Sequence, residues 1–338
     1  MRITLVTDAW LPQVNGVTTT LGQCVAEIDG FGHSVQVISP DRFRTVPCPR
    51  YPEIRLALGS WAAVHSLLED HHPNAIHIAT EGPLGLAVRH FCRRRRLPFT
   101  TSFHTKFPDY IRAYAGVPKT ITYRVVRWFH GAAERTLVPT PSIQHELEDR
   151  GFDNIVCWTR GVDTELFRPR EDDVYGLPRP IFLYAGRVAV EKNLEAFLAL
   201  DLPGSKVVVG DGPAKPALET RYPDVYWAGF RFGDELACHY AGADVFVFPS
   251  RTDTFGVVML EANACGLPVA AFPVPGPLDV VQQGLTGVLH GDLKTACLQA
   301  LDIDPDACRR WALDHSWARC ARMLYDNLAP ISSTRPPF

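Results

Sequence analysis

Two carboxylates, Asp253 and Glu261, stand with seven residues between them in the stretch FPSRTDTFGVVMLEANACGLPV. An apolar run, residues 244–248, stops at Pro249-Ser250, and a polar loop then carries Asp253. Phe255-Gly256 opens a segment with helical features, residues 257–265, that Gly266 closes. Strand, loop and helix in that order predict a helix tip whose free N–H groups and partial positive charge face whatever lies above the strand ends. An acid in such a loop and an acid two turns into the helix suit a ligand with several hydroxyls. On spacing alone, a capping acid and a solvated acid account for the pattern better. A second pair, Arg187 and Lys192, follows the apolar run 181–185 and its closing Gly186. The planar fork of Arg and the point charge of Lys, five residues apart across a strand-to-helix loop, suit a diphosphate leaving group. Taken singly, each is ordinarily a surface charge.

Other groups sit at strand ends, where open α/β sheets place their ligands. The apolar run 2–7 is followed by Asn15-Gly16 and a helical pattern through Ile28. That order lets backbone N–H groups approach a phosphate. No Gly-Lys-Ser/Thr follows, so this is not a P-loop, and Asn15-Gly16 alone reads as a turn. Glu81 follows the run 75–79 and precedes a helix, as either an acceptor-side group or a capping acid. His104 ends the run 98–103, where a lone His is ordinarily a satisfied polar group, and Asp109 and Tyr110 follow it. Gly210-Asp211-Gly212 begins like a dinucleotide fingerprint, but the third glycine position holds Lys215, so the fingerprint fails and a dehydrogenase is disfavoured. Phe230 and Arg231 follow the run 225–229 and could stack on a base. Asp302-Ile303-Asp304 is a metal-type pair by letter only, in a late interhelical stretch.

Composition narrows the class. The chain has 338 residues, enough for two cores, with 46% hydrophobic and 21% charged residues. A net charge of -3 argues against a general nucleic-acid binder. Nine cysteines without a C-x-x-C pair suggest reduced thiols in a cytoplasm rather than a disulfide framework. No apolar run approaches the ~18 residues of a membrane span. The basic run Arg93 to Arg96, beside Arg89 and His90, and the cluster Arg124, Arg127, Trp128 and His130 stand out in an acidic chain. Each is either a solvated helix face or a dock for anionic lipid.

The text around the two acids resembles the E-x7-E signature of retaining glycosyltransferases of family 4, with Asp253 where the first Glu usually stands. Phe255-Gly256, Leu260-Glu261-Ala262 and Cys265-Gly266-Leu267-Pro268-Val269 carry that likeness. Gly186-Arg187 with Glu191-Lys192-Asn193, SFHTKFPDY around His104 and Arg160-Gly161-Val162-Asp163 extend it over nearly the whole chain. The resemblance implies an α/β architecture of the GT-B type: two doubly wound Rossmann-like domains facing one cleft. Residues 1–168 would form the acceptor-side domain, 169–179 a linker with a hinge near Glu171, and 180–314 the nucleotide-sugar domain. A C-terminal helix, 315–330, would cross back onto the first domain, and the tail from Ser332 would be loose.

The same resemblance implies transfer of a hexosyl group with retention and without a metal or other cofactor. Arg187, Lys192 and the Gly16 loop would take the donor diphosphate, and His104 would orient near the donor sugar. Asp253 and the backbone of Phe255, Gly256 and Val257 would hold sugar hydroxyls, and Glu261 the ribose diol. Glu81, Asp109 and Tyr110 would lie on the acceptor side. No carboxylate is evidently placed as a nucleophile, so a same-face mechanism is expected. TDTFG occurs both in GDP-mannose-dependent α-mannosyltransferase-like and in sulfoquinovosyl-transferase-like relatives; GDP-mannose is the first-choice donor and a UDP-hexose or UDP-uronic acid the second. The expected acceptor is a lipid such as diacylglycerol or a glycolipid, reached from the cytoplasm, with an anionic membrane as partner. A soluble-acceptor sugar-phosphate synthase and a non-catalytic nucleotide-sugar sensor are the rival readings.

Overall fold

Buried strands build two six-stranded parallel sheets, and two further strands form a small ribbon. A computed structural model of the chain describes residues 1–332 except 14, 49–50, 60 and 171–173, and leaves the side chains of 51–54, 110 and 113–115 undescribed. The chain divides into two compact units, one of Met1–Thr159 together with the chain from Trp317 onward, the other of Arg160–Ser316. These limits differ from 168 and 314, and the described residues of 169–179 belong to the second unit. Glu171 lies outside the described residues, as do Pro336 and Pro337.

The first unit holds β1 (Arg2–Val6), β2 (Ser34–Ile38), β3 (Thr45–Cys48), β4 (Tyr51–Ala57), β5 (Ala75–Ile78), β6 (Thr100–Ser102), β7 (Arg135–Val138) and β8 (Ile155–Cys157). Six of these form a parallel sheet in the order β2-β1-β5-β6-β7-β8. β3 and β4 pair antiparallel on their own. The sequence pattern reveals neither this ribbon nor the helix Trp61–His71. Prolines at 47 and 52 interrupt the alternation, which a two-stranded ribbon with free edges tolerates. The C-terminal helix Trp317–Asn327 packs on the helix Gly16–Gly30, with the Cys24 and Cys320 sulfurs 3.6 Å apart. Trp158 Nε1 donates to the Cys320 carbonyl at 2.9 Å and ties that helix to the end of β8.

The second unit holds β9 (Ile181–Ala185), β10 (Ser205–Val209), β11 (Tyr226–Gly229), β12 (Val245–Phe248), β13 (Val269–Ala271) and β14 (Gly287–Leu289). Their parallel order is β11-β10-β9-β12-β13-β14. Ile181, Leu183 and Ala185 enter one core, and Phe182 and Tyr184 the core on the opposite face. Burial on both faces explains why these strands read as unbroken apolar runs rather than alternating ones. The order reverses between β9 and β12, and between β1 and β5 in the first unit. Such a reversal opens a crevice at the carboxyl ends of the strands, because the connecting helices leave to opposite faces. Among the described residues no helix is long and apolar enough to cross a membrane.

Candidate functional site

The reversal in the second sheet sets the two candidate pairs side by side. β9 delivers Gly186 and Arg187, and a single 3-10 turn, Val190–Lys192, then presents Lys192. The sequence pattern predicts a helix start here. Asn193 instead takes a left-handed backbone at φ 56° and ends the turn. Its Nδ2 donates to the Pro249 carbonyl at 3.0 Å, fastening the turn to the end of β12. Thr252 Oγ1 donates to the Glu191 carbonyl at 3.3 Å. Between these two ties, Lys192 Nζ lies 2.6 Å from Asp253 Oδ1, with both side chains mostly buried. The second oxygen, Asp253 Oδ2, is buried and makes no hydrogen bond among the described residues.

The failed fingerprint has a structural use. Gly210 has φ 145°, and a Cβ there would fall 1.9 Å from the Gly186 carbonyl oxygen. Val188 N–H donates to the Asp211 carbonyl at 2.9 Å. The Gly210–Gly212 loop is thus a close backbone support for the Arg187 loop, where only glycine fits. Arg187 itself is half-buried, and its carbonyl accepts from Tyr184 Oη at 2.8 Å.

Beyond Asp253 the chain enters the helix Val257–Ala264 through Gly256, at φ 86° and with no side-chain cap. Phe255 is buried in the core, so its side chain anchors the loop and only its backbone can serve a ligand. Glu261 accepts from the buried Tyr240 Oη at 3.0 Å. Burial pushes the Glu261 carboxyl up to about 7, against that hydrogen bond, which favours the charged form. Phe230 is exposed at the end of β11, and Arg231 folds back to donate to the Phe230 carbonyl. Phe232, which the sequence reading misses, is also exposed, its ring centroid 6.1 Å from that of Phe230.

The first unit treats its candidates differently. Asn15 caps the helix at Gly16 by accepting from Val17 and Thr18 N–H at 3.0 and 3.1 Å. A phosphate at Gly16 would therefore find those donors already engaged. Glu81 Oε1 lies 3.0 Å from Nε2 of the fully buried His130. Asp109 pairs with Lys119. Tyr110 lies in the helix Phe107–Ala115, and its side chain is outside the described set. Asp304, of the metal-type pair, caps the helix Pro305–Leu313 by accepting from Asp306 N–H at 3.0 Å. Asp8 is a further group not read from the sequence. It accepts from Thr80 Oγ1 at 2.9 Å and from Leu84 N–H at 3.1 Å, and burial raises it to about 6. Beside these strand ends, Trp10, Leu11, Phe43 and Arg55 line a cavity of about 450 Å³. Scattered over 46 positions, they carry no local signal.

His104 follows β6, and its Nε2 lies 2.8 Å from Ser102 Oγ. Ser102 Oγ in turn lies 3.1 Å from Nε2 of His77, which is fully buried in β5. Burial, reinforced by the neighbouring His130, drives the His77 imidazole down to about 3, so it is neutral.

Comparison with known proteins adds to this geometry. Residues 14–166 match the family described as Glycosyltransferase Family 4, and residues 179–302 match the one described as Glycosyl transferases group 1. The chain is similar to a GDP-mannose-dependent alpha-mannosyltransferase of Corynebacterium glutamicum, 30% identical over 344 residues that span 94% of this chain and 81% of that protein. It is also similar to an alpha-monoglucosyldiacylglycerol synthase of Streptococcus pneumoniae, 27% identical over 352 residues, 90% of this chain and 79% of that protein. Among solved structures, sucrose-phosphate synthase from Thermosynechococcus elongatus shares the fold, with a TM-score of 0.80 at 20% identity over 96% of this chain and 97% of that one.

Proposed function

The chain belongs to glycosyltransferase family 4 and is a hexosyltransferase of the GT-B fold; on that premise we propose that it transfers mannose from GDP-mannose to a lipid hydroxyl with retention of configuration. The observation that carries this reading is the Lys192–Asp253 pair at the sheet reversal, with the buried Asp253 Oδ2 left for a ligand hydroxyl. Breaking the bond from the anomeric carbon to phosphate gathers negative charge on the departing diphosphate. Lys192 and Arg187 neutralise that charge, and the helix tip at Gly256 adds its dipole. Asp253 accepts from a sugar hydroxyl, and the exposed Phe230 and Phe232 offer a stack for the base. A phosphate oxygen of the leaving group takes the proton of the acceptor hydroxyl while the acceptor oxygen bonds to the anomeric carbon on the face the phosphate leaves. No metal is required for this distribution of charge.

The donor assignment draws on the similarity to the GDP-mannose-dependent relative and on the TDTFG wording. The lipid acceptor draws on the monoglucosyldiacylglycerol synthase relative, and on the cavity lined by Trp10, Phe43 and Arg55, which suits an amphipathic head group. To test both, GDP-mannose, UDP-hexoses and UDP-uronic acids are each supplied with anionic vesicles containing diacylglycerol or a glycolipid. An α-mannosyl lipid, with the largest thermal stabilisation from GDP-mannose, is the expected result. Turnover of a UDP-sugar instead would overturn the donor, and a water-soluble product would overturn the acceptor.

Glu261 gives the site a pH signature. A ribose diol donates to the ionised carboxylate and so lowers its pKa on binding. Nucleotide binding then releases a proton, and affinity rises with pH through about 7. Below that pH the Kd for GDP should grow roughly 10-fold per unit until the bound form also protonates. Titration calorimetry at several pH values checks this, and Glu261→Gln should flatten the dependence.

The membrane partner also rests on a surface. The helix Lys119–His130 exposes Ile121, Val125 and Trp128, at 53%, 58% and 56%, on one stripe with Arg124. Arg89 stacks on Trp128 at 3.7 Å and joins this stripe to the helix Pro83–Arg95, whose basic end is exposed. These two helices carry seven basic residues and no acidic one, in a chain of net charge -3. Apolar side chains among cations suit the headgroup layer of an anionic bilayer. Binding to phosphatidylglycerol vesicles should weaken steeply with salt and drop in a Trp128→Ala/Arg124→Ala variant. Equal binding to neutral vesicles would remove the idea.

A further inference from the structure

The loop that carries Asp253 rests on a second turn of the same unit. β13 ends at Ala271, and the chain then passes through Pro273, Val274, Pro275 and Gly276 into the short helix Pro277–Val280. Prolines at 273, 275 and 277 fix φ at alternate positions. The Gly276 carbonyl accepts from Asp279 and Val280 N–H at 3.0 and 3.1 Å, which holds the turn on its far side. Gly276 itself has φ 95°. A Cβ on it would fall 2.9 Å from the Asp253 carbonyl oxygen and 3.3 Å from that of Phe255. The Asp253 carbonyl carbon is farther, at 3.6 Å, so the oxygen leads toward the turn.

A trans peptide sets its C=O and N–H on opposite sides. With the Asp253 and Phe255 oxygens against Gly276, the N–H groups of Thr254 and Gly256 point the other way, off the turn. Gly256 N–H makes no hydrogen bond among the described residues, and the helix it opens has no side-chain cap. Gly256 is also closely packed: a Cβ there would fall 2.8 Å from Met259 Cε and 2.9 Å from Phe248 Cζ. The helix tip thus has little room in which to absorb a push.

We propose that Gly276 is a positioning residue for the donor site: its missing side chain admits two carbonyl oxygens and so turns Gly256 N–H outward in the loop that carries Asp253. That one loop then offers sugar hydroxyls a donor as well as an acceptor. A Cβ at position 276 must displace both oxygens, which rotates both peptides and takes Gly256 N–H with them. The change strikes recognition of the sugar and leaves Arg187 and Lys192 on their own loop after β9. This consequence rests on the reading above that Asp253 meets the donor sugar.

The ligand-free protein supplies the first test. In hydrogen exchange followed by ¹H–¹⁵N spectra of the full chain, the Gly256 amide should exchange as an unbonded N–H, and a protected amide would overturn the proposal. This measurement uses the wild type and does not depend on any variant folding. Gly276→Ala should move the Thr254 and Gly256 amide signals, whereas Gly284→Ala should leave both in place. Gly284 also has a left-handed backbone, at φ 75°, but no atom lies within 4 Å of the position of its Cβ, so it reports strain without contact. Unmoved signals in Gly276→Ala would overturn the positioning role. In turnover, Gly276→Ala should lose about 10- to 100-fold in kcat/KM for the nucleotide sugar, with the Kd for GDP within about 2-fold of the wild type. Gly284→Ala should retain both. Equal losses in the two variants would assign the effect to backbone strain and overturn the proposal. Absence of mannosyl transfer by the wild type would instead strike the donor assignment, because the amides are read without substrate.

Discussion

Lys192→Ala is expected to lower kcat for sugar transfer by about 10²- to 10³-fold, the effect of removing one preorganised charge from a developing anion. The turn that carries Lys192 is fixed by Asn193 on Pro249 and by Thr252 on the Glu191 carbonyl, bonds that the substitution leaves in place. The loss should therefore fall on the chemical step rather than on folding. Steady-state kinetics with a thermal melt on the same sample separates the two. Lys192→Arg should recover little, because the planar fork cannot occupy the position of Nζ 2.6 Å from Asp253 without displacing the turn. A variant that melts as the wild type and turns over at the wild-type rate would show that the diphosphate leaves elsewhere.

Asp253→Ala should reduce kcat/KM by about 10²-fold, because a buried site built to bond a hydroxyl loses its acceptor. The expected pattern distinguishes this residue from Lys192. GDP without a sugar should still stabilise the Asp253→Ala protein against heat, since Arg187 and Lys192, the proposed phosphate contacts, remain. The extra stabilisation given by the intact nucleotide sugar should vanish. Removing Asp253 also takes one carboxylate from Lys192, so the double variant should lose less than the two single effects combined. Additive losses would mean that the 2.6 Å contact does not couple the residues in solution. Asp253→Glu extends the reach by one methylene, and a change in the preferred sugar would show that this length selects the hydroxyl contacted.

The local text of the chain carried a good part of this picture. Runs such as Ile181–Ala185 and Val245–Phe248 are apolar throughout because both faces of a parallel strand are covered, and that pattern marks α/β architecture without any contact being known. Arg187, Lys192, the two acids and Gly256 lie on short segments whose wording resembles the family's. What the wording leaves out is partnership. Asp253 and Lys192 are 61 positions apart, and only the strand order β9-β12 makes them neighbours. Glu81 reads as an acceptor-side group or a capping acid and Asp109 as an acceptor-side candidate, and neither segment shows that a buried His130 and Lys119 stand beside them.

The sequence by itself determined the class of chemistry: which residues hold charge and hydroxyl acceptors, and that they sit at strand ends. Those features are local, because helix tips, strand runs and loop glycines are set by neighbours a few residues away. Only the tertiary structure decided which groups face one another. It set Lys192 against Asp253, laid the Gly210 loop beneath Arg187, and ran a buried line of bonds from His77 to His104. Side-chain pairing across a sheet depends on register and strand order, which arise from packing of the whole unit and leave no mark on any short stretch of the chain.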